Sequence, residues 1–428
     1  MYRSYNQGVN YLVVKSFVVF FLLVSCSSSR FATFESKLES SPLNRSFHSL
    51  VVFNIDKQKE VYNHLGDRYF TPASNTKIVT LYTGTKFLPQ QVPTLKYISQ
   101  NDTLYFEGTG DPSVLHPYFK DSTAIDLIEK HNTVLWHPYN ASEDRYGPGW
   151  AWEDFDTYFS PEKSALPLYG NVVTLFNVPT FKASPVLFSD NVQIKETQFR
   201  REEFQNQFYL NPRITDTIEV PFIIDIDITQ RLLQDILGKD VALVDEFPQG
   251  PKEILYGIPM DSIYKRMMHK SDNFLAEQIL MLASSTLSDT LSTKTAINTM
   301  LDEHLSDLPH KPRWVDGSGL SRYNLFTPNS LVHILKKLHN EIPEERLFQL
   351  FPMWDATGTV DTWEHPSLQP FIFAKSGSFG NHYNLSGYIK TKSGSVFIFS
   401  FMNNHFRVPS HDIRTYIFET LKSIHEKY

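Results

Sequence analysis

Across 428 residues there is a single cysteine, Cys26. One thiol cannot close an internal disulfide, so the fold must rest on its packed core. Positive charge is in deficit: 40 Lys and Arg against 47 Asp and Glu leave a net charge of −7. That balance removes the electrostatic footprint of a nucleic-acid binder. The 15 histidines are scattered without metal-ligand spacing, so neither a metal nor a cofactor is expected. No internal repeat stands out. The one apolar run near the N-terminus, Phe17 to Val24, is too short to span a bilayer. What is plentiful is core material: 41% hydrophobic and 14% aromatic residues describe a globular protein of two or three structural units.

The short run has another reading. Arg3 and Lys15 precede it, as in the basic region of an export signal. It ends in Leu23-Val24-Ser25-Cys26, which resembles a bacterial lipobox. That resemblance implies that residues 1–25 are removed and that Cys26 is lipidated. The chain would then face the periplasm from a lipid anchor in the cell envelope. Residues 26–46 are polar and serine-rich, as a tether would be.

From Phe47 the pattern becomes strand, turn at Asp56–Lys59, and strand, feeding a helix that Pro72 starts and Pro89 ends. Residues 91–254 read as a largely β insert, with helical periodicity returning near Ile228. A strong helical stretch runs from Pro259 to Leu287, and Thr327-Pro328-Asn329 opens another helix. Strands are expected at Phe371–Lys375, Leu385–Lys390 and Val396–Met402, then an amphipathic helix from about Asp412 to Glu426. Residues 47–90 and 255–428 thus form one discontinuous domain of α/β (α+β) class.

Three short motifs carry chemistry. Ser74 and Lys77 share one face near a helix N-terminus. Burial there would lower the lysine pKa and make it a base for the serine. The same spacing recurs at Ser160/Lys163 and Ser262/Lys265, so it says little alone. Ser271-Asp272-Asn273 lies between two apolar helical segments, whereas its copy Ser189-Asp190-Asn191 lies among turns. Lys375-Ser376-Gly377-Ser378 continues an apolar strand, whereas Lys392-Ser393-Gly394-Ser395 lies at a hairpin turn. A strand edge lets an extended substrate add by main-chain hydrogen bonds, with Gly377 allowing close approach.

In this order the three motifs resemble those of penicillin-binding proteins and serine β-lactamases. The long separation of Ser74 from Ser271, and the lack of a Glu-x-x-Leu-Asn segment, turn the resemblance away from β-lactamases. The chain is most similar to penicillin-binding protein 4 type D-alanyl-D-alanine carboxypeptidase/endopeptidases. Gly110-Asp111-Pro112, Pro148-Gly149-Trp150, Ser164-Ala165-Leu166, Ala276-Glu277, Asp316–Arg322 and Leu385–Tyr388 extend the match. It departs in having serines at 376 and 378 where the family usually has threonines, and in a somewhat shorter insert.

The resemblance implies an antiparallel sheet flanked by helices, in the β-lactamase/transpeptidase-like fold. It implies peptidoglycan stem peptides as substrate, β-lactam antibiotics as acylating inhibitors, and no nucleic-acid partner. Ser74 would be the nucleophile, Lys77 its base and Ser271 a proton relay. The N–H groups of Ser74 and Ser378 would form an oxyanion hole, worth about 3 kcal/mol per donor. Asn273 would hold the substrate amide, and Lys375 would depress the Lys77 pKa and, with Ser376, bind the terminal carboxylate. Asp316–Arg322 is expected as a structural loop behind the cleft, and Trp150, Trp152 and Tyr158 as core aromatics of the insert or, as the alternative, as the lining of a pocket for the substrate side chain. A β-lactamase or esterase on the same scaffold, and a wall-binding protein without turnover, are the alternatives.

Overall fold

The structure of the chain, a computed structural model, describes residues 31–39, 43–176, 181–354, 359 and 370–428. Cys26 and the export signal lie outside the described residues. Among the described residues no helix is long and apolar enough to cross a membrane.

The host is built on a five-stranded antiparallel sheet ordered Ile372–Phe379, His382–Lys390, Val396–Asn404, Phe47–Asn54, Lys59–His64. Both faces are covered, so its central strands are near-continuous apolar runs rather than alternating ones. Period two still sorts them: Leu50 and Val52 enter one core, and Val51 between them enters the other. On the Val51 side pack the helices Lys77–Phe87, Asn273–Ser285 and Pro328–Glu341. On the Leu50 side packs the last helix, Ser410–Lys427, through Ile413, Ile417 and Leu421. The antiparallel sheet with flanking helices is the architecture expected for the host.

Residues 77–84 of the Lys77–Phe87 helix are buried all round, so it is the central helix of the host. One expectation changes: the tether stops short, because Ala32–Glu39 is helical. Phe31 and Phe34, three residues apart, are both buried, and Phe34 packs on Tyr62, Phe401 and Tyr416. Two phenylalanines on one helix face anchor a segment whose serines suggested solvent.

Among the described residues the insert has its own core and three sheets. The largest is ordered Ala242–Leu243, Thr133–Trp136, Thr103–Gly108, Gln91–Gln100, Glu253–Pro259. The entering strand Gln91–Gln100 pairs antiparallel with the returning strand Glu253–Pro259, so the expected boundary at 254 cuts through a strand. The insert is fastened to the Asn273–Ser285 helix by Gln278, whose Nε2 donates to Gly110 O at 2.8 Å and Ser164 O at 2.9 Å. A Cβ on Gly108 would lie 2.1 Å from Ala165 O, which is why that turn can seat so closely.

Candidate active site

Ser74 sits not in the α-helix but in the 3₁₀ turn Ala73–Thr76 that leads into it. The turn is locally unfavourable, since Ala73 has φ +48. Buried polar side chains from the sheet hold it. Asn384 Nδ2 donates to Thr71 O at 2.9 Å and Pro72 O at 3.0 Å. Asn75 Nδ2 donates to Ser386 Oγ at 2.9 Å, and Thr71 N donates to Asn404 Oδ1 at 2.9 Å. These anchors were not read from the sequence. Asn384 and Ser386, two apart inside an otherwise apolar strand, were the available signal.

Lys77 opens the helix and is fully buried. Its Nζ lies 3.1 Å from Ser74 Oγ, 2.6 Å from Asn273 Oδ1 and 2.7 Å from Ser318 O. A neutral amine has two N–H bonds and one lone pair. The two short contacts take the N–H bonds, which aims the lone pair at the serine. Burial lowers the Lys77 pKa to about 8, while Asp316, Glu277 and Asp272 pull it back up.

Ser271 caps the Met260–Lys270 helix at φ +56, and Asp272 then starts the next helix by accepting from Leu275 N at 3.1 Å. Lys375 Nζ reaches across to Ser271 Oγ at 3.0 Å and to Ser376 O at 2.6 Å. Lys375 is fully buried, and that burial holds its pKa well below the ordinary amine range. The like charge of Lys77 adds to that burial in lowering the Lys375 pKa.

The strand bearing Lys375 is an edge, as its apolar lead-in suggested, but only part of it is open. Trp354 N donates to Ile372 O and Ala374 N to Pro352 O, so residues 352–354 pair with its first half. Gly377 has a different task from the one expected. A Cβ there would lie 2.5 Å from Pro72 O and 2.9 Å from Ser74 N, so the missing side chain admits the nucleophile turn. Ser376 Oγ lies 2.6 Å from Thr359 Oγ1.

A cavity of about 720 Å³ brings Ser74, Ser271, Asn273, Thr359 and Ser378 to one surface. Lys77, Lys375, Ser376 and Gly377 stand behind that lining. Asp154, Glu219, Arg266 and Arg322 also line it, so Arg322 belongs to the cleft wall and not only to a loop behind it. Tyr158 lines the cavity and is 65% exposed, and Trp152 is 69% exposed, so neither is core. Trp152 opens the 3₁₀ turn Trp152–Asp154, and Tyr158 follows it outside any strand. Among the described residues no cluster of three or more His, Cys, Asp or Glu could hold a metal ion.

The lookalike motifs are elsewhere occupied. Lys163 is ion-paired with Glu143, Asp190 and Asn191 are exposed, and Ser393-Gly394 forms the turn between two sheet strands. Lys265 lines a separate groove beside the Glu344–Leu350 helix.

Known proteins share this fold. The chain is 23% identical to D-alanyl-D-alanine carboxypeptidase DacB of Haemophilus influenzae, over 90% of this chain and 91% of that protein. It is 26% identical to carboxypeptidase DacB of Mycolicibacterium smegmatis over 41% of each. The crystal structure of penicillin binding protein 4 from H. influenzae superposes with a TM-score of 0.69 at 19% identity, covering 89% of this chain and 97% of that one. The same protein complexed with a novel β-lactam gives 0.61 at 18% identity, with the same coverage. The family model of the D-Ala-D-Ala carboxypeptidase 3 (S13) family matches residues 31–222 and 227–422. The chain belongs to the D-Ala-D-Ala carboxypeptidase 3 (S13) family.

Proposed function

We infer that the protein is a serine D-alanyl-D-alanine carboxypeptidase/endopeptidase that cleaves peptidoglycan stem peptides through an acyl-enzyme. The observation that carries this is the Lys77 amine, buried and shared between Ser74 and Asn273, beside a second buried lysine bonded to Ser271. Ser74 Oγ attacks the peptide carbonyl while its proton passes to the Lys77 lone pair. The carbonyl oxygen becomes an oxyanion held by the N–H groups of Ser74 and Ser378. Ser271, kept in place by Lys375, relays a proton to the departing amine, and the C–N bond breaks. Water then cleaves the ester and returns Ser74. Asn273 serves the substrate amide, and Lys375 with Ser376 serves the terminal carboxylate.

Fluorescent penicillin tests this. A long-lived adduct at Ser74, absent in Ser74→Ala, is the expected result. Rapid hydrolysis without an adduct would mean a β-lactamase, and no reaction at all a wall-binding protein. Digestion of purified muropeptides then separates carboxypeptidase from endopeptidase cleavage.

Residues 1–25 act as a lipoprotein signal, and Cys26 is the lipid attachment point that holds the enzyme to an envelope membrane. The lipobox-like Leu23–Cys26 supports this. Radiolabelled palmitate enters the wild-type chain and not Cys26→Ala; label in the variant would refute the anchor.

A further inference from the structure

One of the three groups that hold the Lys77 amine is held directly by the insert, and a second stands in a loop that Glu277 of the host holds and the insert touches. The first is Asn273 Oδ1. An amide side chain can present oxygen or nitrogen to a neighbour, and only its partners decide which. Asn273 Nδ2 donates to the main-chain Phe159 O at 2.9 Å, which fixes the oxygen toward Lys77. The second is Ser318 O, in the loop that follows Asp316. The buried Asp316 carboxylate shapes that loop by accepting from Gly319 N at 2.9 Å and Asn324 Nδ2 and Ser321 N at 2.6 Å each. A further donor comes from the insert: Trp150 Nε1 at 3.0 Å. Ser321 Oγ returns the contact by donating to Pro148 O at 2.6 Å.

The fit between the two segments is close: a Cβ on Gly149 would lie 2.7 Å from the Tyr323 ring. The same stretch supplies the cleft wall through Ala151, Asp154, Tyr158 and Phe159.

We propose that residues 147–159 brace the general base, with Trp150 as a positioning residue acting through Asp316, so that the insert sets the geometry of Lys77 as well as walling the cleft. This rests on the acyl-serine reading above. A substrate that presses on the wall then acts on the base, and part of its binding energy appears in kcat rather than in KM.

The test is Trp150→Phe, which keeps a ring and removes the N–H. Rates are normalised to the number of sites that penicillin can acylate. On a D-Ala-D-Ala peptide kcat falls about tenfold, as a displaced catalytic group would require, with KM within about twofold. The rate of acylation by penicillin falls by the same factor, although penicillin carries no stem peptide to touch the wall. A rise in KM with penicillin acylation unchanged would mean that Trp150 serves only the wall, and would overturn the brace. Ser321→Ala repeats the effect in the same direction and smaller. Should Trp150→Phe fail to fold in a thermal scan, unchanged kcat and acylation in Ser321→Ala overturn the proposal. A wild-type protein that takes no penicillin sinks the functional reading instead.

Discussion

Lys77→Ala lowers acylation of Ser74, by peptide or by penicillin, on the order of 10³- to 10⁴-fold. Among the described residues alanine leaves no base within reach of the serine, since the other buried amine, Lys375, is bonded to Ser271 and Ser376. It also strands Asn273 Oδ1 and Ser318 O, which lose their shared donor. Leaving a buried acceptor unpaired costs roughly 1–3 kcal/mol, so the thermal midpoint falls as well. The wild-type pH profile carries the same information. Lys77 accepts a proton only when neutral, and its pKa lies at about 8. Acylation therefore climbs about tenfold per pH unit below 8 and levels above it. A lysine left in water would still be climbing near pH 10. A rate flat from pH 6 to 9 would remove Lys77 from the role of base.

Gly377→Ala gives the second large effect, and it tests packing rather than charge. The added carbon would stand 2.5 Å from Pro72 O, 2.7 Å from Asn75 N and 2.9 Å from Ser74 N. All three are main-chain atoms, so no flexible side chain can swing aside. Either the turn bearing Ser74 or the strand bearing Ser378 must move. Overpacking of this kind costs about 1–3 kcal/mol. A displacement near 1 Å between nucleophile and oxyanion donors costs on the order of 100-fold in acylation. Gly380 is the control, because nothing lies within 4 Å of a Cβ placed there. Thermal scans and penicillin kinetics should separate the two alanine variants; equal behaviour would mean that the close approach at Gly377 does not matter.

What the sequence disclosed about this site was context rather than motif. Each three- or four-residue pattern has a copy, and local structure chose between them. Lys375 was separable from Lys392 because four apolar residues lead into it, and a strand edge needs that lead-in. Ser271 was separable from Ser189 because it lies between two helical stretches. What stayed hidden depends on distant parts of the chain meeting. Asn384, Ser386 and Asn404 look like ordinary strand residues until the turn lands on them. Trp152 and Tyr158 looked like core because large aromatics usually bury, and only the cleft's position shows them open. Gly377 was assigned to the substrate because nothing in a strand's sequence tells which neighbour presses on it.

The two ends of the insert leave the host at one spot, where Met260 N donates to Gln90 O at 2.9 Å and the strands beyond them pair. A lobe rooted that way can be exchanged with two adjacent sutures, and the register of the host sheet is untouched by the graft. Chimeras taking this lobe from a relative should inherit the donor's choice of stem peptide. They should turn over well only if the transplanted lobe brings its own matching tryptophan and phenylalanine main chain to the recipient's catalytic amine.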